Sequence, residues 1–138
     1  MFQKDYLMRL IETLLDAINK IVNSIDKEDI EGAKMQLRDS FRLLGKEEDY
    51  FHNTNCDELI KFFKSKEGNY LKRVQLLAEL LYLDSRIEIN DILKLESIKK
   101  AKTLLLYYTK FSKEYSFEVN NKLVLINSEL DNFSLPCK

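Results

Sequence analysis

Residues that interrupt helices are scarce in this 138-residue chain, and this scarcity constrains the fold more than any other feature. The chain has three glycines and a single proline, Pro136, close to its last residue. β-Sandwiches and α/β folds need turn residues at intervals of about ten positions. Apolar residues instead recur three and four positions apart along most of the sequence, as in amphipathic helices. The sequence therefore predicts an all-α fold, a helical bundle in one domain over residues 1–138.

About six segments carry this helical pattern. They cover residues 2–25, 26–45, 56–65, 70 onward, 97–113 and 117 onward, with Pro136 closing the last one.

Residues with strong capping preferences predict where several of these helices begin and end. Asp26 is the predicted N-cap of the second helix, and Gly45 lies where a C-cap is expected. Residues 46–55 are predicted to be a loop that places Tyr50 and Phe51 on the core. Asn55 is predicted to cap the next helix. Residues 84–91 fit either a continued helix or an irregular break.

The segment TLLLYY at residues 103–108 poses a packing problem inside the fifth predicted helix. Its five consecutive apolar residues, 104–108, turn through about 400° of a helix, so no single face can hold them all. Two explanations remain open. The neighbouring predicted helices could cover both sides and bury all five residues. Alternatively, Leu106 and Tyr107 stay at the surface and contact another chain.

Composition excludes several classes of protein. With 22 basic and 23 acidic residues the net charge is −1, which argues against a nucleic-acid-binding protein. The two cysteines, Cys56 and Cys137, lie far apart and form no disulfide framework, as in a reduced cytosolic protein. The charged N-terminus does not resemble a signal peptide, and no apolar run approaches a membrane span. We therefore expect a cytoplasmic protein without membrane contact.

One short pattern recurs, and longer segments resemble a known family. The pattern Ile-x-x-Ala-Lys-x-x-Leu begins at Ile30 and again at Ile98, at twice the 34-residue tetratricopeptide period. The segments KDYLMRLIE, DIEGAKMQL, CDELIKFFK, LLAELLYL and IKKAKTLLLYY together resemble a bacterial family of small helical proteins of unknown function. Its last helices are tetratricopeptide-like. The resemblance implies a tetratricopeptide-like antiparallel helix pair, and it implies no reaction.

Two pairs of reactive residues have the spacing of one helical turn. His52 and Cys56 could form a metal pair or a Cys–His couple, but the residues between them fit a loop and a helix cap. Glu12 and Asp16 could belong to a di-metal bundle, but they lie on a polar face where Asp16 is expected to pair with Lys20. The sequence therefore predicts no catalytic residue, no metal and no cofactor.

Lysines concentrate on and near the fifth predicted helix. They are Lys94, Lys99, Lys100, Lys102, Lys110 and Lys113. An apolar side chain within such a ring resembles an interface core with a polar rim. The residues predicted to contact a partner are therefore Leu106, Tyr107, Lys99, Lys110 and Lys113.

These features favour a non-catalytic protein–protein interaction or scaffold domain over an enzyme. The expected partner is an unidentified protein or a second copy of the chain. Binding of a nucleic acid or an acidic partner through the lysine-rich face is the alternative, and the net charge argues against the nucleic acid.

Overall fold

The computed structural model describes the backbone of residues 2–66 and 68–134 and the side chains of residues 5–66 and 68–133. Within these ranges the chain forms seven α-helices and no strand, which confirms the all-α prediction. The helices are α1 (Phe2–Asp26), α2 (Ile30–Leu43), α3 (Glu48–Asn53), α4 (Cys56–Lys64), α5 (Tyr70–Ile87), α6 (Asp91–Phe111) and α7 (Phe117–Ser134).

Helix α5 lies at the centre of the bundle. It packs antiparallel against α6, across a connection of three residues, and it also contacts α1, α2 and α4. The antiparallel pair α1–α2 lies on one side of α5, and α7 packs on α6. Because neighbours surround α5, its four consecutive apolar residues 80–83 are all buried. A helix in this position needs no polar face.

The boundary between α1 and α2 differs from the prediction. Asp26 is the last residue of α1 and does not cap α2. The N-cap is Asp29, whose carboxylate accepts a hydrogen bond from the backbone N–H of Gly32 at 3.0 Å. Glu28 adopts a positive φ of 62° between the two helices. Aspartate has the same capping preference at positions 26 and 29, and the geometry of the turn selects Asp29.

Helix α3 corrects the prediction of a loop at residues 46–55. Phe51 is fully buried in this short helix and stacks on Phe41 and Phe63, with ring centroids 5.6 and 6.2 Å apart. Tyr50 is partly buried against the same core. Six residues are too few to form a stable helix alone, so tertiary contacts stabilise α3. The predicted cap at Asn55 is confirmed, since its side chain accepts from the N–H of Glu58 at 2.9 Å.

The ambiguous residues 84–91 prove to be part helix and part connection. Helix α5 continues to Ile87, and α6 begins at Asp91, six residues earlier than predicted at 97. Asn90 caps α6 by accepting hydrogen bonds from the N–H groups of Ile92 and Leu93. At its other end α6 stops at Phe111, and not at 113 as predicted.

The last helix agrees with its apolar pattern. Val119 and Ile126 of α7 are buried, and Leu123, Leu130 and Phe133 pack partly buried against the core. The predicted roles of Pro136 and Cys137 lie outside the described residues. Among the helices of residues 2–66 and 68–134, none combines the length and the apolar composition that a membrane crossing needs.

Candidate functional site

The structure resolves how α6 accommodates the run TLLLYY. Leu104 and Leu105 are fully buried, whereas Leu106 retains 49% of its exposure. Tyr107 and Tyr108 are partly buried. Of the two explanations that the sequence left open, burial of all five residues by the neighbouring helices is therefore excluded at Leu106. One flank of α6 faces solvent at this position.

Lysines surround Leu106 on this flank. Lys99, Lys102, Leu106 and Lys110 share one stripe, since they lie three to four residues apart on α6. We call these four residues the outer α6 surface. Lys99 and Lys110 are exposed, and Lys102 is partly exposed. Lys113 follows the end of α6, so it lies in the connection to α7 and outside the helix that was predicted to include it.

Tyr107 does not belong to the outer α6 surface. Its hydroxyl shares a hydrogen bond of 3.1 Å with the hydroxyl of Tyr70 on α5, and its ring packs on Phe111 with centroids 4.5 Å apart. The hydrogen bond to Tyr107 raises the pKa of Tyr70. The structure therefore brings Leu106 and the lysines together and turns Tyr107 toward α5.

The outer α6 surface carries uncompensated positive charge. Residues 97–113 contain five lysines and no acidic residue. In the described part of the chain, none of Lys99, Lys102 and Lys110 takes part in an ion pair. The ammonium group of Lys110 instead lies 5.5 Å from the ring centroid of Phe111. These charges are available to a binding partner.

Lys100 differs from the other lysines of α6 because its ammonium group is fully occupied. It donates hydrogen bonds of 2.8 Å to the carbonyl oxygens of Phe51, His52 and Thr54. These carbonyls are at the C-terminal end of α3, where a cation is favourable. Burial lowers the pKa of Lys100. Lys100 therefore fastens α3 to α6.

A second charged contact fastens α3 to α5. The Nε2 atom of His52 lies 2.6 Å from Oδ2 of Asp84, and both side chains are largely buried. The hydrogen bond to Asp84 raises the pKa of His52, while burial opposes this effect. We call the contacts of Lys100 and His52 the α3 clamp. In each of these contacts the two residues are more than 30 positions apart in sequence, so no local motif predicts the contact.

The predicted alternative for His52 and Cys56 finds no support in the geometry. His52 is directed to Asp84, and the Sγ atom of Cys56 lies 3.9 Å from the carbonyl oxygen of Lys100. Burial raises the pKa of the Cys56 thiol, which disfavours the nucleophilic thiolate. Among the described residues, no group of three or more histidine, cysteine, aspartate or glutamate side chains could hold a metal ion.

The acidic pair of α1 also remains apart from any cluster. Glu12 and Asp16 are exposed. The expected ion pair between Asp16 and Lys20 is not among the ion pairs of the described residues, so that prediction is wrong.

Comparison with protein-family models, curated proteins and solved structures gives no match. Membership of the bacterial family and the tetratricopeptide-like character of the α5–α6 pair therefore stay predictions.

Proposed function

We propose that this chain is a non-catalytic interaction domain that binds a protein partner through the outer α6 surface. The observation that carries the proposal is the position of Leu106, which is half exposed at the centre of a lysine stripe. An apolar anchor inside a charged rim is the usual layout of a protein interface.

The shape and charge of the surface favour an extended or helical acidic segment as the partner. From Lys99 to Lys110 the stripe is about 17 Å long at 1.5 Å per residue. An amphipathic helix of three turns has this length, and its carboxylates could lie beside the three lysines while an apolar residue covers Leu106. Complementary charge would speed association and fix the orientation of the two helices.

The positions of the reactive side chains also favour binding over catalysis. His52 is engaged with Asp84 and Lys100 with three carbonyl groups, so both are used to hold α3 in place. Neither the Cys56 thiol nor the His52 imidazole shows the mutual hydrogen bond expected of a nucleophile and its base.

Site-specific photo-crosslinking in cells tests the proposal. A photoreactive amino acid is placed at position 106. The matched control places it at position 125 on α7, because Leu125 is 50% exposed and Leu106 is 49% exposed. We expect a discrete protein cross-link from position 106 and none of the same mass from position 125. The double variant Lys99→Glu, Lys110→Glu should abolish it by reversing the charge around the anchor.

Each alternative gives a different product in this experiment. A cross-link between two copies of the chain identifies self-association through the same surface. A cross-link to nucleic acid supports the alternative function and contradicts the protein partner. Identical products from positions 106 and 125, or a product that survives the charge reversal, would also overturn the proposal.

A further inference from the structure

The solvent-facing side of α1 carries exposed carboxylates beside exposed apolar side chains. Met8 is 52% exposed and Leu15 is 43% exposed. Asp5, Glu12 and Asp16 are exposed as well. Asp5, Met8, Glu12 and Leu15 form one stripe, since they lie three to four residues apart on α1, and Asp16 follows Glu12 by one turn. We call these five residues the outer α1 surface.

The carboxylates of the outer α1 surface have no cationic partner within one copy of the chain. In the part of the chain that the structure describes, none of Asp5, Glu12 and Asp16 takes part in an ion pair. The basic residues Arg9 and Lys20 of the same helix lie on the edge of this face that is away from the apolar side chains. The carboxylates and the apolar side chains are therefore available together to a second molecule.

The outer α1 surface and the outer α6 surface are complementary in charge and in pattern. On α6 three lysines flank one half-exposed leucine, and on α1 three carboxylates lie beside two exposed apolar side chains. At 1.5 Å per residue the α1 surface is about 17 Å long, the same length as the stripe on α6. An α1 helix that lies along α6 can therefore place carboxylates beside lysines while Met8 or Leu15 covers Leu106.

Contact between these two surfaces requires two copies of the chain. Within one copy the carboxylates of α1 and the lysines of α6 form no ion pair with each other among the described residues. Two outer α6 surfaces do not suit each other, because lysines would face lysines. We propose that the outer α6 surface of one copy binds the outer α1 surface of a second copy. This inference rests on the proposed function and names the partner of its surface.

Sedimentation velocity of the full chain at concentrations up to about 1 mM tests the proposal. Because the two surfaces differ, a bound pair can leave one surface of each kind free, so the weight-average mass should rise above that of one chain as the concentration increases. The mass should fall again when the ionic strength is raised from about 0.1 M to about 1 M, since the Debye length shortens from about 10 Å to about 3 Å. The mass of a single chain at every concentration would overturn the proposal.

Charge reversal on each surface separates this contact from non-specific association. The double variant Lys99→Glu, Lys110→Glu makes both surfaces predominantly acidic. The double variant Glu12→Lys, Asp16→Lys makes both surfaces predominantly basic. Each variant alone should have the mass of one chain at all concentrations. An equimolar mixture of the two variants should associate again, because each acidic surface then meets a basic one. A mixture that stays monomeric would contradict the pairing of these two surfaces.

A matched control and the crosslinking experiment complete the test. The double variant Glu31→Lys, Asp131→Lys reverses two exposed carboxylates on α2 and α7, outside both surfaces, and should associate like the original chain. Circular dichroism verifies the fold of each variant. If the control also loses association, net charge and not this contact drives it. A cross-link from position 106 to a different protein, together with a monomeric chain in sedimentation, would overturn the second copy as the partner and leave the proposed function in place.

Discussion

Replacing Lys100 with methionine removes the ammonium group of the α3 clamp while keeping a side chain of similar length. The three carbonyl oxygens of Phe51, His52 and Thr54 then lose their donor. One hydrogen bond contributes about 0.5–1.5 kcal/mol net, so three bonds correspond to about 1.5–4.5 kcal/mol. Lys100 is only partly buried, which argues for a value inside this range and not at its upper end. We therefore expect a loss of about 2–3 kcal/mol in the free energy of unfolding.

Thermal and urea unfolding followed by circular dichroism measure this loss. An unfolding entropy of about 2.1 cal/mol/K per residue converts it to a decrease in Tm of about 7–10 °C for a chain of this length. Lys99→Met is the matched control, because Lys99 is the exposed neighbour without an ion pair among the described residues. It should change the stability by less than about 0.5 kcal/mol. If the two variants unfold alike, the reasoning about Lys100 is refuted.

Three further predictions concern the clamp, the core and the outer α6 surface. The hydrogen bond to Asp84 raises the pKa of His52 above 6.5. The contribution of this contact to the free energy of unfolding is therefore fully present below pH 6.5 and is lost as the pH rises through the folded-state pKa. Urea titrations at several pH values should show this decline, and His52→Gln should flatten it. Phe51→Ala should cost about 3–5 kcal/mol in urea unfolding, because it removes a fully buried ring between two others; a loss below 1 kcal/mol would contradict the packing of α3. Leu106→Asp should cost less than about 1 kcal/mol, since the position is half exposed, and a thermal melt showing a severely destabilised protein would exclude Leu106 as a surface residue.

Local sequence was sufficient to predict the class of fold and several helix ends. The three- and four-residue apolar spacing placed Val119 and Ile126 of α7 inward, as observed. Asn55 was also identified correctly, because a cap depends on residues within one turn. The C-cap of α2 is Leu44, one residue before the predicted Gly45, which follows it with a positive φ of 116°. The run of apolar residues at 80–83 is consistent with a helix that has neighbours on all sides, but local sequence does not identify which helices surround α5.

Local sequence was insufficient wherever distant residues decide the structure. Helix α3 has an unremarkable polar sequence, and contacts of Phe51 and Lys100 with other helices stabilise it. A cavity lined by His52 of α3, Glu88 of the connection after α5 and Lys100 of α6 combines residues that are distant in sequence, so no spacing rule could reveal it. For the outer α6 surface, the sequence identified Leu106 and its lysines but could not show that Tyr107 turns toward Tyr70.

The exposed side chain of Leu106 is not required by the fold. Leucine and lysine have nearly the same helix propensity, so a lysine at this position would continue the stripe of Lys99, Lys102 and Lys110 with little cost in stability. A half-exposed leucine also gains only part of the free energy that full burial provides. The core-facing positions of α6 are already filled by Leu104 and Leu105. If another molecule covers position 106, as we propose, the leucine gains the rest of this free energy, and the crosslinking experiment examines that condition.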